Sequence, residues 1–246
     1  MNDSVDMGKA FMHLFDDKDW ISKTAVGACL SMAPILNFAV VGYELRVVRN
    51  VSSGEPQAMP QWDDIGKMFT DGLQLALARW VLALPLTIFI CLPLAAFFGF
   101  PFIAAIATES APNADVDRAM GLSFGMGMML FLLCGGVAAI GSLALGFIYP
   151  AMTANFLRHG TFAACFNFPQ IVGFIRRNAS NYITVWVSAI LAGIVYSMAA
   201  SIVYLIPCLG SVLALPLSAA GVFWIYMVTG HALGQALAFD KPESPS

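Results

Sequence analysis

Charge is what this chain has least of. Asp, Glu, Lys and Arg make up only 11% of its 246 residues, while 59% are hydrophobic; a soluble domain carries about twice that charge. Residues 81–108, 119–157 and 182–239 contain none of the four charged types, and each run exceeds the roughly 20 residues that cross a hydrocarbon core. Backbone groups in lipid must pair within their own segment, so these runs are expected to be helical. The composition excludes a water-soluble class and points to an all-α, polytopic transmembrane bundle forming a single membrane domain over 1–246.

Other absences narrow the function. A net charge of -3 offers no basic surplus for nucleic acid. The five cysteines have none of the paired spacings of a zinc or redox site. Cys29, Cys91, Cys134 and Cys208 sit in apolar runs as packing residues, and Cys165 has no basic neighbour in sequence to lower its pKa. The opening MNDSVDMGKA is acidic and has no apolar core, so a cleaved signal peptide is not expected. There is no nucleophile motif and no phosphate loop. His13 and His159 share no ligand spacing with His231. His231, one turn from Gln235, is the only ionisable-type residue in the long runs, and proton-coupled carriers usually keep carboxylates there. The expectation is a non-enzymatic protein without cofactor or metal. The stripe Met120, Met126, Met128 and Met129 reads as adaptable packing, and Gly121-x-x-x-Gly125 and Gly230-x-x-x-Gly234 as sites of close helix approach.

What is present is a recurring order of events. In WDDIGKMFTDGLQLALARW, residues 62–80, an apolar stripe (Ile65, Met68, Phe69, Gly72, Leu73, Ala76, Leu77, Trp80) opposes Asp63, Asp64, Lys67, Asp71 and Gln74. This is the 3.6-residue period of an amphipathic helix lying on the membrane interface. Pro60 precedes it, and Asp63 and Asp64 occupy the first turn, where the helix dipole favours negative charge. A second copy has Phe168, Ile171, Phe174, Ile175 and Tyr182 opposite Arg176, Arg177, Asn178 and Asn181, and an offset of 106 carries Tyr149 to Tyr43, Gly160 to Gly54, Ile171 to Ile65 and Trp186 to Trp80. A third has Phe11, Leu14 and Phe15 opposite Asp16, Asp17 and Lys18, followed by Trp20.

After each tryptophan comes an apolar helix, a break and a second apolar helix. The breaks fall at Ala33-Pro34-Ile35-Leu36-Asn37, at 108–118 and at Ile206-Pro207-Cys208-Leu209-Gly210. The sequence thus predicts about six membrane helices in three diverged helix-plus-hairpin units, near 1–50, 60–158 and 168–238, with a short polar tail at 239–246. The first hairpin has legs of about 14 residues, roughly 21 Å, short of the roughly 30 Å hydrocarbon thickness, which makes a re-entrant pair. The alternative is one tilted span over 20–48 kinked at Pro34. A returning hairpin leaves eleven basic residues facing one compartment and Arg118 the other, whereas a single span leaves eight against four. The positive-inside rule favours the hairpin, with both termini cytoplasmic in a prokaryotic inner membrane.

Two clusters carry the candidate contacts. Arg46, Arg49, Arg158, Arg176 and Arg177, with Trp62 and Lys67, form a basic and aromatic girdle suited to anionic lipid head groups or a protein partner. Asp19, Trp20, Lys23, Pro34, Tyr43, Asp63 and Asp64 are candidate structural anchors, with Asp19 and Lys23 spaced to pair along a helix. The partners expected are membrane lipids, a membrane protein or a second copy. The alternative function is a small-solute or ion pathway, using backbone groups at breaks near Pro85, Pro93, Pro101 and Pro207 because charged side chains are missing.

Phe15-Asp-Asp-Lys-Asp-Trp20, Lys23, Pro34-Ile-Leu-Asn37, Gly42-Tyr43, Arg46-Val-Val-Arg49, Gly54, Pro60-Gln-Trp-Asp-Asp64 and Phe69-Thr-Asp-Gly72 together resemble domain of unknown function 4013, a family of prokaryotic multispan membrane proteins. The closing stretch 226–235 is similar to that family's C-terminus, and Gln61 departs from the pattern. The resemblance implies fold and location and carries no catalytic role.

Overall fold

The computed structural model describes residues 4–109, 115–206 and 209–240, and the described residues are helical with connecting turns. The helices are α1 (Met7–Met12), α2 (Trp20–Met32), α3 (Asn37–Ser52), α4 (Ile65–Glu109), α5 (Val116–His159), α6 (Phe168–Arg177), α7 (Ala179–Tyr204) and α8 (Leu209–Phe239), with a short 3₁₀ turn at Phe162–Phe166. Four are long and apolar enough to cross a membrane: α4, α5, α7, and α8 over Val212–Phe239. Together with the composition, they make this a membrane protein.

The boundaries follow local chemistry. Ala33 is extended (φ -101°, ψ 118°) because the ring of Pro34 disfavours helical geometry in the residue before it. Asp6 caps α1 by accepting from the Lys9 N–H at 3.0 Å, and Asp64 accepts from the Lys67 N–H at 3.1 Å to start α4. The helices α3 and α5 both end at glycines in the left-handed region, Gly54 (φ 72°) and Gly160 (φ 66°), where a side chain would be strained. The chain turns back between α2 and α3, which form a hairpin with legs of 13 and 16 residues, about 20 and 24 Å long.

The chain forms two compact units. One comprises Met1–Ala78 with Ile148–Ser246, the other Arg79–Phe147. In the first, α8 packs against α1, α2, α3 and α7. Its core holds Leu14, Val40, Tyr43, Val47, Met59, Met68, Phe223 and Met227, with Trp20 and Trp62 packed against it. Residues 65–78 of α4 do not stand alone on an interface: Met68, Gly72, Leu75 and Ala76 are buried, and Asp63, Asp64 and Lys67 are exposed. At this crossing a Cβ on Gly42 would meet the Met68 carbonyl oxygen at 1.8 Å, and one on Gly72 the Phe38 oxygen at 1.9 Å. Glycine at both positions lets the backbones of α3 and α4 touch. Another amphipathic segment the sequence singled out is a separate helix, α6, with Ile171 and Phe174 buried and Arg176 and Arg177 exposed.

The other unit is a pair of apolar helical stretches, the later part of α4 and the earlier part of α5. Ala96, Ser123 and Ala138 are buried between them, and Gly127 lies against the Phe97 backbone. Most of their remaining large apolar side chains are exposed, among them Phe98, Leu132 and Ile140. Pro85, Pro93 and Pro101 lie inside α4, which runs through them without interruption. The expected breaks there are absent, because a proline removes one backbone hydrogen bond and bends a helix while the neighbouring turns hold it. Pro207 lies outside the described residues.

Candidate functional site

The loop 53–64 is fastened across the open end of the first hairpin. Lys23, 2% exposed, places its Nζ 2.7 Å from Asp17 Oδ2 and donates to the Met59 carbonyl at 3.0 Å. Asp17 also accepts from Gln57 Nε2 at 3.1 Å and from the Asp19 N–H at 2.8 Å. Burial alone raises a carboxyl pKa, but the hydrogen bonds from Lys23, Asp19 and Gln57 and the ammonium charge outweigh it and hold Asp17 below its ordinary value. The expected pairing of Asp19 with Lys23 is therefore corrected. Asp19 sits at the N-cap of α2 with no side-chain cap bond, and Asp17, six residues before Lys23, is the partner. Asp19, as the N-cap residue, lies outside helical geometry (φ -101°, ψ 17°), while the turns over residues 14–19 carry Asp17 to the ammonium.

Tyr43 and Trp62 complete the fastening. Their rings stack at 4.1 Å and 24°, the Tyr43 hydroxyl donates to the Pro60 carbonyl at 2.8 Å, and Trp62 Nε1 donates to the Lys23 carbonyl at 3.2 Å. Arg46 reaches Asp63 at 3.0 Å and Asp64 at 3.1 Å, at the start of α4. Trp20 meets Phe15 edge-on at 5.2 Å, and Pro34 lies in the turn at the hairpin's far end.

A second polar array ties the N-terminal segment to α7 and α8. The Val5 N–H donates to Asn181 Oδ1 at 3.2 Å. Gln235 accepts from the Asp6 N–H at 2.7 Å and donates to the Asp6 carbonyl at 3.1 Å and to His231 Nδ1 at 2.9 Å. His13 stacks on His231 at 4.3 Å and donates from Nδ1 to the Ala10 carbonyl at 2.7 Å. Burial holds His13 neutral, its pKa lowered to about 4 despite that backbone bond and the nearby Asp16 and Asp17. The sequence linked His231 to Gln235 but set His13 apart, since 218 positions separate the two rings and no local pattern connects them.

The girdle arginines divide. Arg158 and Arg177 both hold Asp240, the latter at 3.5 Å. Burial pushes the Asp240 carboxyl up, but its bonds to Arg158, Asn178 and Arg177 hold it below its usual range. Arg158 also lies 5.2 Å from the centroid of the Phe174 ring. Arg49, Ser52, Leu157, Arg158, Leu237 and Asp240 line a recess of about 330 Å³. Arg46 faces the Asp63–Asp64 corner instead, while Arg176 and Lys67 are exposed on α6 and α4. Asp240, placed by the sequence in a polar tail, is the residue that gathers this group.

Lys23, Asp17, Glu44, His13 and Asp240 are all buried, so the unit's interior is more polar than its apolar runs suggest. The described residues contain no group of three His, Cys, Asp or Glu side chains arranged to hold a metal ion. What this chemistry does is hold loops and helix ends by charge and offer charged recesses at their edges.

No curated protein and no solved structure matches the chain. Residues 26–205, well over half of it, match the family model described as Protein of unknown function (DUF4013). The early anchors Asp17 to Lys23 and the closing stretch 226–235 lie outside that span. The chain belongs to the DUF4013 family.

Proposed function

We propose that this is a non-enzymatic protein of the prokaryotic inner membrane that binds anionic lipid head groups and acts in membrane organisation or as an accessory subunit of a membrane complex. The observation that carries this reading is the recess lined by Arg49, Ser52, Leu157, Arg158, Leu237 and Asp240, in which Arg158 is paired with Asp240 and Arg49 is left to meet a head group; Arg176 is exposed on α6. The Arg49 guanidinium suits a phosphate ester, and leucines suit the first carbons of its acyl chains. Each arginine near an anionic leaflet contributes about 1 kcal/mol. The non-enzymatic reading draws support from Asp17 and Asp240, two perturbed carboxyls that are both held in ion pairs.

The test is native mass spectrometry of the protein purified gently with its lipids. Arg49→Glu with Arg176→Glu leaves the Asp240 pairs intact and should lower retained anionic lipid several-fold. Equal retention at equal folded yield would reduce these arginines to topology signals. A second reading, a small-solute pathway, draws support from a recess of about 230 Å³ at the far end of the first hairpin, where Ser31 Oγ and Asn37 Oδ1 are buried without hydrogen-bond partners. Flux through reconstituted vesicles that Asn37→Leu abolishes would favour it.

We further read the chain as six membrane helices in three related units, with both termini cytoplasmic. Support comes from Gly54 and Gly160, which end α3 and α5 in the same left-handed geometry, and from Asn50 and Asn155, which tie the loops that follow to the carbonyls of Ala58 and Ala164. Cysteines placed singly at Ser4, Ser53, Asp115 and Thr161 should react with an impermeant thiol reagent in intact cells only at position 115; reaction at position 4 as well would refute the units.

A further inference from the structure

A cavity of about 520 Å³ was not anticipated by any motif. It lies in the unit of Met1–Ala78 and Ile148–Ser246, where the N-terminal segment, the loop after α3 and the end of α8 meet: His13, Asp16, Glu55, Gln57, His231 and Gln235 all line it. Lys9 and Asp17 line it too. Asp17 is already neutralised by Lys23, so Asp16 and Glu55 against Lys9 leave one net negative charge. The helices α3 and α8 both end beside it, at Ser52 and Phe239, and the partial negative charge of a helix C-terminus adds to that field.

An unpartnered acceptor makes this more than an acidic patch. His13 is 6% exposed. Its Nδ1 donates to Ala10, so in the neutral ring Nε2 carries a lone pair, and Nε2 is buried with no hydrogen-bond partner. An unmet buried acceptor calls for a donor. The field repels phosphate and carboxylate ligands, and a group that both donates hydrogen bonds and carries positive charge satisfies the histidine and the carboxylates together.

We propose that this recess binds a primary ammonium group. Asp16 and Glu55 supply the counter-charge, His13 Nε2 accepts one N–H, and Lys9 competes for the same carboxylates. The ammonium belongs either to a small soluble amine or to an ethanolamine lipid head group, and the experiment separates them. Delipidated full-length protein in detergent is titrated calorimetrically with putrescine, and protein in mixed-lipid nanodiscs is assayed for bound phosphatidylethanolamine by native mass spectrometry. Saturable putrescine binding that weakens about tenfold in Asp16→Asn or Glu55→Gln, and tightens in Lys9→Ala, supports the soluble amine. Phosphatidylethanolamine enrichment that the same carboxylate variants remove, without putrescine binding, supports the head group. Both are conservative changes at polar positions, and a thermal melt confirms folding before each titration. No binding in either arm by folded wild-type protein, or binding that the carboxylate variants leave unchanged, overturns the proposal.

Discussion

The two units of this chain are held together by different physics. In the larger one, buried charges and directed hydrogen bonds fasten connecting segments: Lys23 to Asp17 and Met59, Tyr43 to Pro60, and Gln235 to Asp6. In the hairpin of 79–147, the side-chain hydroxyls of Thr87 and Ser123 bond within their own helices, to the Leu84 and Met120 carbonyls. There the contacts are apolar: Phe97 meets Phe124 and Phe131 at 6.1 and 6.3 Å, and Gly141 lies against Leu86. A network of named bonds specifies one arrangement and fails sharply when a partner is lost. A packed apolar pair loses stability in small steps.

The largest expected effect tests that contrast directly. Lys23→Met keeps the stem of the side chain and removes the charge, leaving Asp17 buried without its ammonium. Breaking a buried pair from one side costs about 3–5 kcal/mol, enough to undo the docking of loop 53–64. Leu122→Ala, at a hairpin residue 60% exposed, should change stability by about 0.5 kcal/mol or less. Denaturation of both variants in the same detergent compares them. Equal losses would mean that the polar bracket contributes no more than ordinary surface packing.

The long apolar helices were legible because their signals are local. Charge-free runs announce spans, and the helix ends at Met32, Glu109 and Tyr204 fall within or up to two residues before the breaks the sequence placed at 33–37, 108–118 and 206–210. The anchors Lys23, Tyr43, Asp63 and Asp64 were also visible as residues of unusual type at the ends of apolar runs. Their partners were not. Lys23 to Met59, His13 to His231 and Arg158 to Asp240 are long-range contacts, and a spacing rule sees only neighbours on one helix. What was missed in α4 is its passage through Pro85, Pro93 and Pro101: a proline marks a possible break in sequence, and the neighbouring turns hold the helix together.

A smaller effect is expected from pH and sharpens the comparison, since among the described residues the buried charged and histidine side chains lie in the larger unit. His13 has a folded pKa lowered from 6.5 to about 4 by burial. The unfolded chain therefore takes up the proton more readily, and acid favours unfolding. The stability from keeping His13 neutral is present in full above pH 6.5 and lost as pH falls toward 4, by about 3 kcal/mol in all at 1.36 kcal/mol per pKa unit. Asp17, whose folded pKa is depressed, adds a loss of the same sign at lower pH. Melting curves in detergent across this window should show the decline, and His13→Phe, which keeps a ring against His231, should flatten it. A decline that persists unchanged in His13→Phe would assign it to other groups.

The smallest effect distinguishes packed from open helix faces within each unit. Gly42→Ala forces a Cβ to 1.8 Å from the Met68 carbonyl oxygen, and two backbones must separate to admit it, at a cost of about 1–3 kcal/mol. In the hairpin, Gly127→Ala meets the Phe97 Cα at 2.9 Å, whereas a Cβ on Gly125 finds nothing within 4 Å. These two positions lie about 200° apart around α5, so they report its inner and outer faces. Gly125→Ala should be neutral or stabilising, by up to about 1 kcal/mol from helix propensity, and Gly127→Ala destabilising. Melting in detergent measures each variant folded alone, and the same variants in native membranes measure it among its neighbours. If Gly125→Ala is harmless in detergent but costs as much as Gly42→Ala in membranes, the outer face of the hairpin is covered there, and the region that looks simplest in isolation is itself an interface.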